Sequence, residues 1–142
     1  MTRAAFLVTI SLAVAMVLGC SRSGAPAEPQ FRMSAVQFVD EFLADRPAAA
    51  ERYGGKILEL SGTVGNKHGT AMSALGIGFQ EIDPAKAFES NMPLFFFEPT
   101  DSRAREEYES IAVGDAVRIR CLFEIMDLEK ELYLVKECRL VR

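Results

Sequence analysis

Few side chains in this sequence could do chemistry unaided. There is one histidine, His68, with three cysteines, Cys20, Cys121 and Cys138, and no tryptophan. His68 lies in Asn66-Lys67-His68-Gly69, a turn-type cluster. No cysteine or carboxylate stands beside it at ligand spacing, so no metal centre is expected. No Cys-x-x-Cys-His run offers haem attachment, and no cofactor is expected. Nucleophilic catalysis needs a base within hydrogen-bond reach of the nucleophile, and His68 would meet Ser73 or Thr70 only across that turn. Glu106-Glu107 falls in a short helical stretch, where a solvated face accounts for it. No catalytic residue is assigned. The expected class is a binding module, not an enzyme.

The cysteines speak first of an address. Arg3 supplies a positive start, and Ala4 to Leu18 is apolar apart from Thr9 and Ser11. A bilayer span needs about 20 apolar residues, so this run reads as a secretory signal. It ends in Val17-Leu18-Gly19-Cys20, which resembles the lipobox of bacterial lipoproteins. In that pattern cleavage leaves the cysteine first, with lipid on its sulfur and amine. Each buried methylene of such acyl chains contributes about 0.8 kcal/mol of membrane affinity. The resemblance implies a signal peptide over residues 1–19, lipid on Cys20 and a tether of small and Pro residues over 20–32. The folded domain would then cover residues 33–142. Ser21 in place of Asp after the cysteine implies the outer membrane, periplasmic face. An ordinary signal peptide whose cysteine happens to follow a glycine is the alternative.

The elements that must place the other two cysteines are two alternating runs. Ile111 to Phe123 and Leu132 to Val141 flank a polar connection at Asp127 to Glu131, a hairpin signal. With the turn centred between Glu129 and Lys130, Cys121 faces Cys138, Ile119 faces Leu140 and Ile125 faces Leu134. Facing residues on antiparallel strands lie about 4.5–5.5 Å apart, within disulfide range. In an oxidising compartment the pair is expected to bond, and closing that loop contributes about 3 kcal/mol. Two reduced cysteines packed as small hydrophobes are the other reading.

Upstream, Ser34 with Gln37 is a capping-box pair, and Met33 with Phe38 fits a hydrophobic staple. A helix follows, ended or kinked by Pro47, with a second helical stretch through Glu51 that stops at Gly54-Gly55. Lys56 to Gly65 alternates as a half-buried strand with a bend at Gly62. A hairpin centred on Asn66 to Gly69 sets Leu60 against Leu75 and Leu58 against Ile77, with the second strand running through Phe79. Gln80 to Asn91 reads as a loop with a helical turn after Asp83-Pro84. Met92 to Glu98 is a strand apolar on both faces. Thr100 or Asp101 caps a helix through Ser110. The fold class is mainly β with two helices: a five-stranded OB barrel, β-β-β-α-β-β, preceded by an N-terminal helix.

Several segments together resemble the tRNA_anti-like family, OB-fold domains common in bacterial lipoproteins. They are Arg52 to Val64, beginning Arg-Tyr-Gly-Gly-Lys, then Val113 to Cys121 with its Gly-Asp lead-in, then Val135 to Leu140 with the second cysteine. Arg120, where the family tends to have glycine, and Pro47 in the leading helix depart from the pattern.

OB domains that hold single strands use a basic groove and stacking aromatics. This chain carries a net charge of −4, Phe95 to Phe97 read as core, and Glu124 and Glu137 dilute the stripe Arg118, Arg120, Arg139. Nucleic acid is therefore disfavoured. The expected activity is that of a lipid-anchored adaptor binding an envelope protein or peptide at the barrel mouth. That mouth would be framed by Asn66, Lys67 and His68 on one hairpin tip and Asp127, Glu129 and Lys130 on the other. A small-ligand or oligosaccharide binder is the alternative, weakened by the lack of tryptophan. The loop Gln80 to Asn91, with Ile82, Phe88 and Met92, is a second candidate surface.

Overall fold

The computed structural model describes residues 28–69, 75–88 and 95–142. The expected signal peptide, Cys20, most of the expected tether, Thr70, Ser73 and Met92 lie outside the described residues. The elements are β1 (Phe31–Ser34), α1 (Ala35–Ala44), α2 (Arg46–Tyr53), β2 (Ile57–His68), β3 (Leu75–Phe79), α3 (Pro84–Phe88), β4 (Phe95–Phe97), α4 (Ser102–Ser110), β5 (Ala116–Asp127) and β6 (Leu132–Leu140). Sheet order β2-β3-β4-β6-β5 closes on itself through β2–β5, which gives the expected five-stranded OB barrel.

Helix ends follow local chemistry. The Ser34 hydroxyl accepts from the Gln37 amide at 3.1 Å and starts α1. Asp45 breaks the helix before Pro47 and caps α2 by accepting from Ala48 at 3.0 Å. Asp101 caps α4. Alpha1 lays Phe38 and Phe42 over one end of the barrel, edge-on to Phe123, with Tyr53 and Tyr133 completing the cluster. Fully burying each large apolar side chain contributes about 1.5–3 kcal/mol, so this aromatic plug is a main source of stability.

Four expectations are corrected here. Strand β1 starts inside the segment read as tether and pairs in parallel with β2, Phe31 opposite Leu58 and Met33 opposite Leu60. Its run is too short for alternation to be seen in the sequence. Asn66, Lys67 and His68 are not a turn but the last part of β2, opposite Gly78, Ile77 and Gly76. The expected Leu60–Leu75 and Leu58–Ile77 pairs do not form, because Leu58 and Leu60 face Cys121 and Ile119 of β5 instead. Finally, the irregularity in β2 lies between Val64 and Asn66 rather than at Gly62. A Cβ on Gly65 would meet the Gln80 backbone nitrogen at 2.9 Å, so only glycine lets the two strands approach there. Gly62 has a different role: a Cβ there would sit 2.6 Å from the Phe79 ring. Strand β2 nonetheless serves both halves of the barrel, pairing with β5 up to Thr63 and with β3 from Val64.

The β5–β6 hairpin holds the expected pair: Cys121 and Cys138 are disulfide-bonded, their Cα atoms 4.2 Å apart. Ile119 faces Leu140 as expected, but Ile125 faces Tyr133, not Leu134. Two offsetting bulges explain this. Arg120 pairs with Arg139 and Leu122 with Lys136, so Cys121 stands opposite both Glu137 and Cys138, with Glu137 at φ 52°. Nearer the tip, Ile125 pairs with Tyr133 and Asp127 with Leu132, leaving Met126 as the extra residue. One slipped residue exchanges the two faces of a strand. Cys138, Val135 and Tyr133 therefore all point inward, although simple alternation from Cys138 would select Leu134 and Lys136.

Candidate functional site

Beginning with the arginine stripe, Arg120 and Arg139 are cross-strand neighbours, Arg120 also faces Glu59 of β2, and Arg118 faces Ser61. Like charges directly opposite destabilise a sheet, and the facing pair Arg120 and Arg139 is offset by two different carboxylates, Glu59 and Glu107. Glu59, although on the polar side of β2, is only 6% exposed. It accepts from Arg120 Nε at 3.0 Å and lies 3.6 Å from Arg118 and 3.7 Å from Arg32. Glu107 of α4 is equally buried. It takes both Nε and Nη2 of Arg139, at 3.0 and 3.1 Å, and the Leu140 amide at 3.0 Å. Arg103 approaches it at 3.4 Å, and Asp101 takes a further contact from Arg139 at 3.6 Å. Glu107 is thus not on a solvated helix face, as its sequence context suggested. The diluting residues expected, Glu124 and Glu137, are turned to Lys136 at 2.8 and 3.9 Å.

These pairs build a fixed, mixed-charge surface beside the disulfide. A cleft of about 380 Å³ is lined by Ile57 and Leu122 together with Arg120, Arg139, Glu98 and Asp101. A second, of about 530 Å³, opens beside it between Arg120, Arg103 and Arg142. For Glu107, burial pushes the carboxyl up, but the Arg139 guanidinium and the Leu140 amide outweigh it and hold the group below the ordinary carboxylate range. For Arg139, the bond to Glu107 raises an already high value. Both groups stay ionised across the physiological range.

The two predicted hairpin tips are not brought together. Along β2 and β5 the rungs run from Thr63–Ala116 to Ile57–Leu122. Asn66 to His68 extend past the first rung, while Asp127 to Lys130 lie beyond the last. They leave opposite ends of that ladder, so no single mouth is framed by both. Lys67 is also committed: its ammonium donates to the Tyr108 and Ile111 carbonyls, both at 2.8 Å, and sits 4.3 Å above the Tyr108 ring. The Tyr108 hydroxyl donates to the His68 carbonyl at 3.0 Å. Asn66 and His68 themselves are exposed.

At the other end, Asp127 is occupied in shaping its turn, accepting from the Glu129 and Lys130 amides at 3.1 Å and pairing with the Lys130 ammonium. Glu131 is tied to Arg46 of α2 at 3.1 Å. The residues sequence reasoning missed at this tip are apolar: Met126 and Leu128 are 63% and 62% exposed, and Ile125 and Leu132 are partly so. Their only sequence signal was an interrupted apolar run, which reads as core until the bulge at Met126 turns it outward. In the second candidate loop, Ile82 is buried against the core, and Met92 lies outside the described residues.

The tRNA_anti-like family model matches residues 2–139. Among solved structures, a lipoprotein from Klebsiella pneumoniae subsp. pneumoniae, named for a proposed nucleic acid-binding role, aligns with a TM-score of 0.53 at 14% identity. The alignment covers 78% of this chain and 91% of that one. At that identity the likeness is one of fold. No curated protein matches the chain.

Proposed function

The chain belongs to the tRNA_anti-like family, and we propose that it is a lipid-anchored, non-catalytic binding module of the bacterial cell envelope. Its anchor is lipid on Cys20, facing the periplasm from the outer membrane, and its partner is another envelope protein or a peptide. The observation that carries the binding part of this reading is the pairing of Arg118 and Arg120 with buried Glu59, and of Arg139 with buried Glu107. A polyphosphate partner is drawn by unpaired positive charge and released by salt. Here the stripe is partly neutralised from within: Arg32, Arg103, Arg118, Arg120 and Arg139 meet Glu59, Glu107 and Asp101, in a chain of net charge −4. Arginines held in place by carboxylates instead offer preorganised donors alternating with acceptors, which suits a peptide backbone and side chains of both signs.

A small-ligand reading is supported by one observation, the cleft of about 380 Å³ beside Cys121, since small-molecule sites typically measure about 300–1,000 Å³. Nucleic-acid binding, after which the Klebsiella protein is named, is the least favoured reading for this chain because of that partial neutralisation and the acidic net charge.

The test is in-cell crosslinking of the full lipoprotein, followed by mass spectrometry of what is captured. The expected result is one enriched envelope protein, crosslinked near Lys136, with capture reduced by charge reversal at the exposed Arg103 and Arg118. Capture unchanged by those reversals would displace the site from this face. No enriched protein, together with salt-sensitive binding of a short single strand by the purified protein, would replace the reading with the nucleic-acid one.

A further inference from the structure

The tether and the exposed apolar tip leave the domain from the same end. The Gln30 amide donates to the Ile57 carbonyl at 3.0 Å, and the Gln30 side chain accepts from the Ile57 amide at 2.7 Å. Lys56 and Gly55, just before Ile57, exchange backbone bonds with Phe123 at 3.0 and 2.8 Å. Gln30, Ile57 and Phe123 therefore mark one level of the barrel. Beyond it, Glu124 to Asp127 carry β5 outward by about 14 Å. The tip there exposes most of Met126 and Leu128, with Ile125 and Leu132 beside them. Its charges nearly cancel, since Asp127 pairs with Lys130 and Glu131 with Arg46, leaving Glu129.

We propose that this tip seats Met126, Leu128 and Leu132 in the surface of the bilayer that carries the anchor. The inference rests on the lipid at Cys20 proposed above. Residues 21–30 span at most about 35 Å when extended, which keeps this end of the barrel within reach of the headgroups. A slightly acidic tip is not drawn to anionic lipid, so the contact is apolar and a zwitterionic surface suffices. Its consequence is orientation: the domain stands on two points, tether and tip, with the β2–β3 end turned to the periplasm.

The test uses the full chain, expressed with its leader, purified from membranes and reconstituted in phosphatidylcholine vesicles. With Cys20 acylated and Cys121–Cys138 bonded, an introduced cysteine is the free thiol. An environment-sensitive dye is placed at Met126→Cys or at Val113→Cys. Val113 is the matched control, 62% exposed against 63% for Met126, but it lies beyond the Thr63–Ala116 rung, where the neighbouring Gly114 bonds Val64. Nitroxide groups on the acyl chains should quench the dye at 126 several-fold more than at 113. Equal, weak quenching at both, with intact mass showing lipid on Cys20, overturns the inference and leaves the anchor standing. A shielded but unquenched dye at 126 assigns the tip to a protein or a second copy and overturns it as well. An intact mass without lipid removes the anchor and this inference together.

Discussion

The carboxylate of Glu107 is held ionised by contacts that exist only in the fold, which makes it a sensor of acid. A carboxyl depressed by folding contributes stability above its unfolded value of about 4.3, and that contribution disappears as pH falls through the folded value. Glu107→Gln is expected to cost about 2 kcal/mol near neutrality, by weakening charge-assisted bonds to Arg139. It should also flatten the acid limb of the stability curve, and urea unfolding at a series of pH values measures both. At the other extreme, burial and then the Glu41 carboxylate push the Tyr53 hydroxyl up to about 12, while the bond from Tyr53 lowers Glu41. A raised value works in the opposite sense: its stabilisation is complete below the unfolded value and fades as pH rises from about 10 to about 12. Tyr53→Phe should therefore cost about 1 kcal/mol at neutral pH and shift the alkaline limb, read by the same titration.

Among the elements, the β5–β6 hairpin shows what a sequence can and cannot disclose. The cysteine pairing was legible because alternation and the polar connection place Cys121 and Cys138 near each other under any small slip. The faces nearer the tip were not, because the bulge at Glu137 carries no glycine to announce it. A non-glycine residue at φ 52° is strained by about 1–2 kcal/mol, so Glu137→Gly is expected to raise the melting temperature. Replacing both cysteines by alanine should lower stability by about 3 kcal/mol, and thermal melts measure each change. The helix starts at Ser34 and at Thr100 or Asp101 were legible from capping chemistry and the break after α1 from Pro47, whereas the cap at Asp45 was not. Asn66 to His68 were not, since turn-type residues became strand once β3 lay beside them and Lys67 found the end of α4. Glu59 and Glu107 read as solvated because each sits on a polar side of its own element. The arginines that bury them come from other strands, and a one-dimensional pattern holds no record of that.

For the molecule as a whole, the barrel separates two kinds of surface. One end carries the entry of the chain at Gln30, the apolar tip and the aromatic plug under α1. The flank formed by β2, β5, β6 and α4 carries the paired charges and the two clefts. Neither position nor separation followed from composition, because both depend on how β2 divides its pairing between β5 and β3. The disulfide, lying between these surfaces, has a consequence for wear. The hairpin tip, where Met126, Leu128, Glu129 and Lys130 are exposed, is a natural place for a protease to cut. A cut between Leu128 and Glu131 severs the chain, yet Cys121 and Cys138 still join the two pieces. Limited proteolysis should yield one species, heavier by a water, that separates only after reduction. Shedding of the C-terminal strand thus requires both a hydrolase and a reductant, and a compartment that supplies only the first would leave the nicked barrel whole.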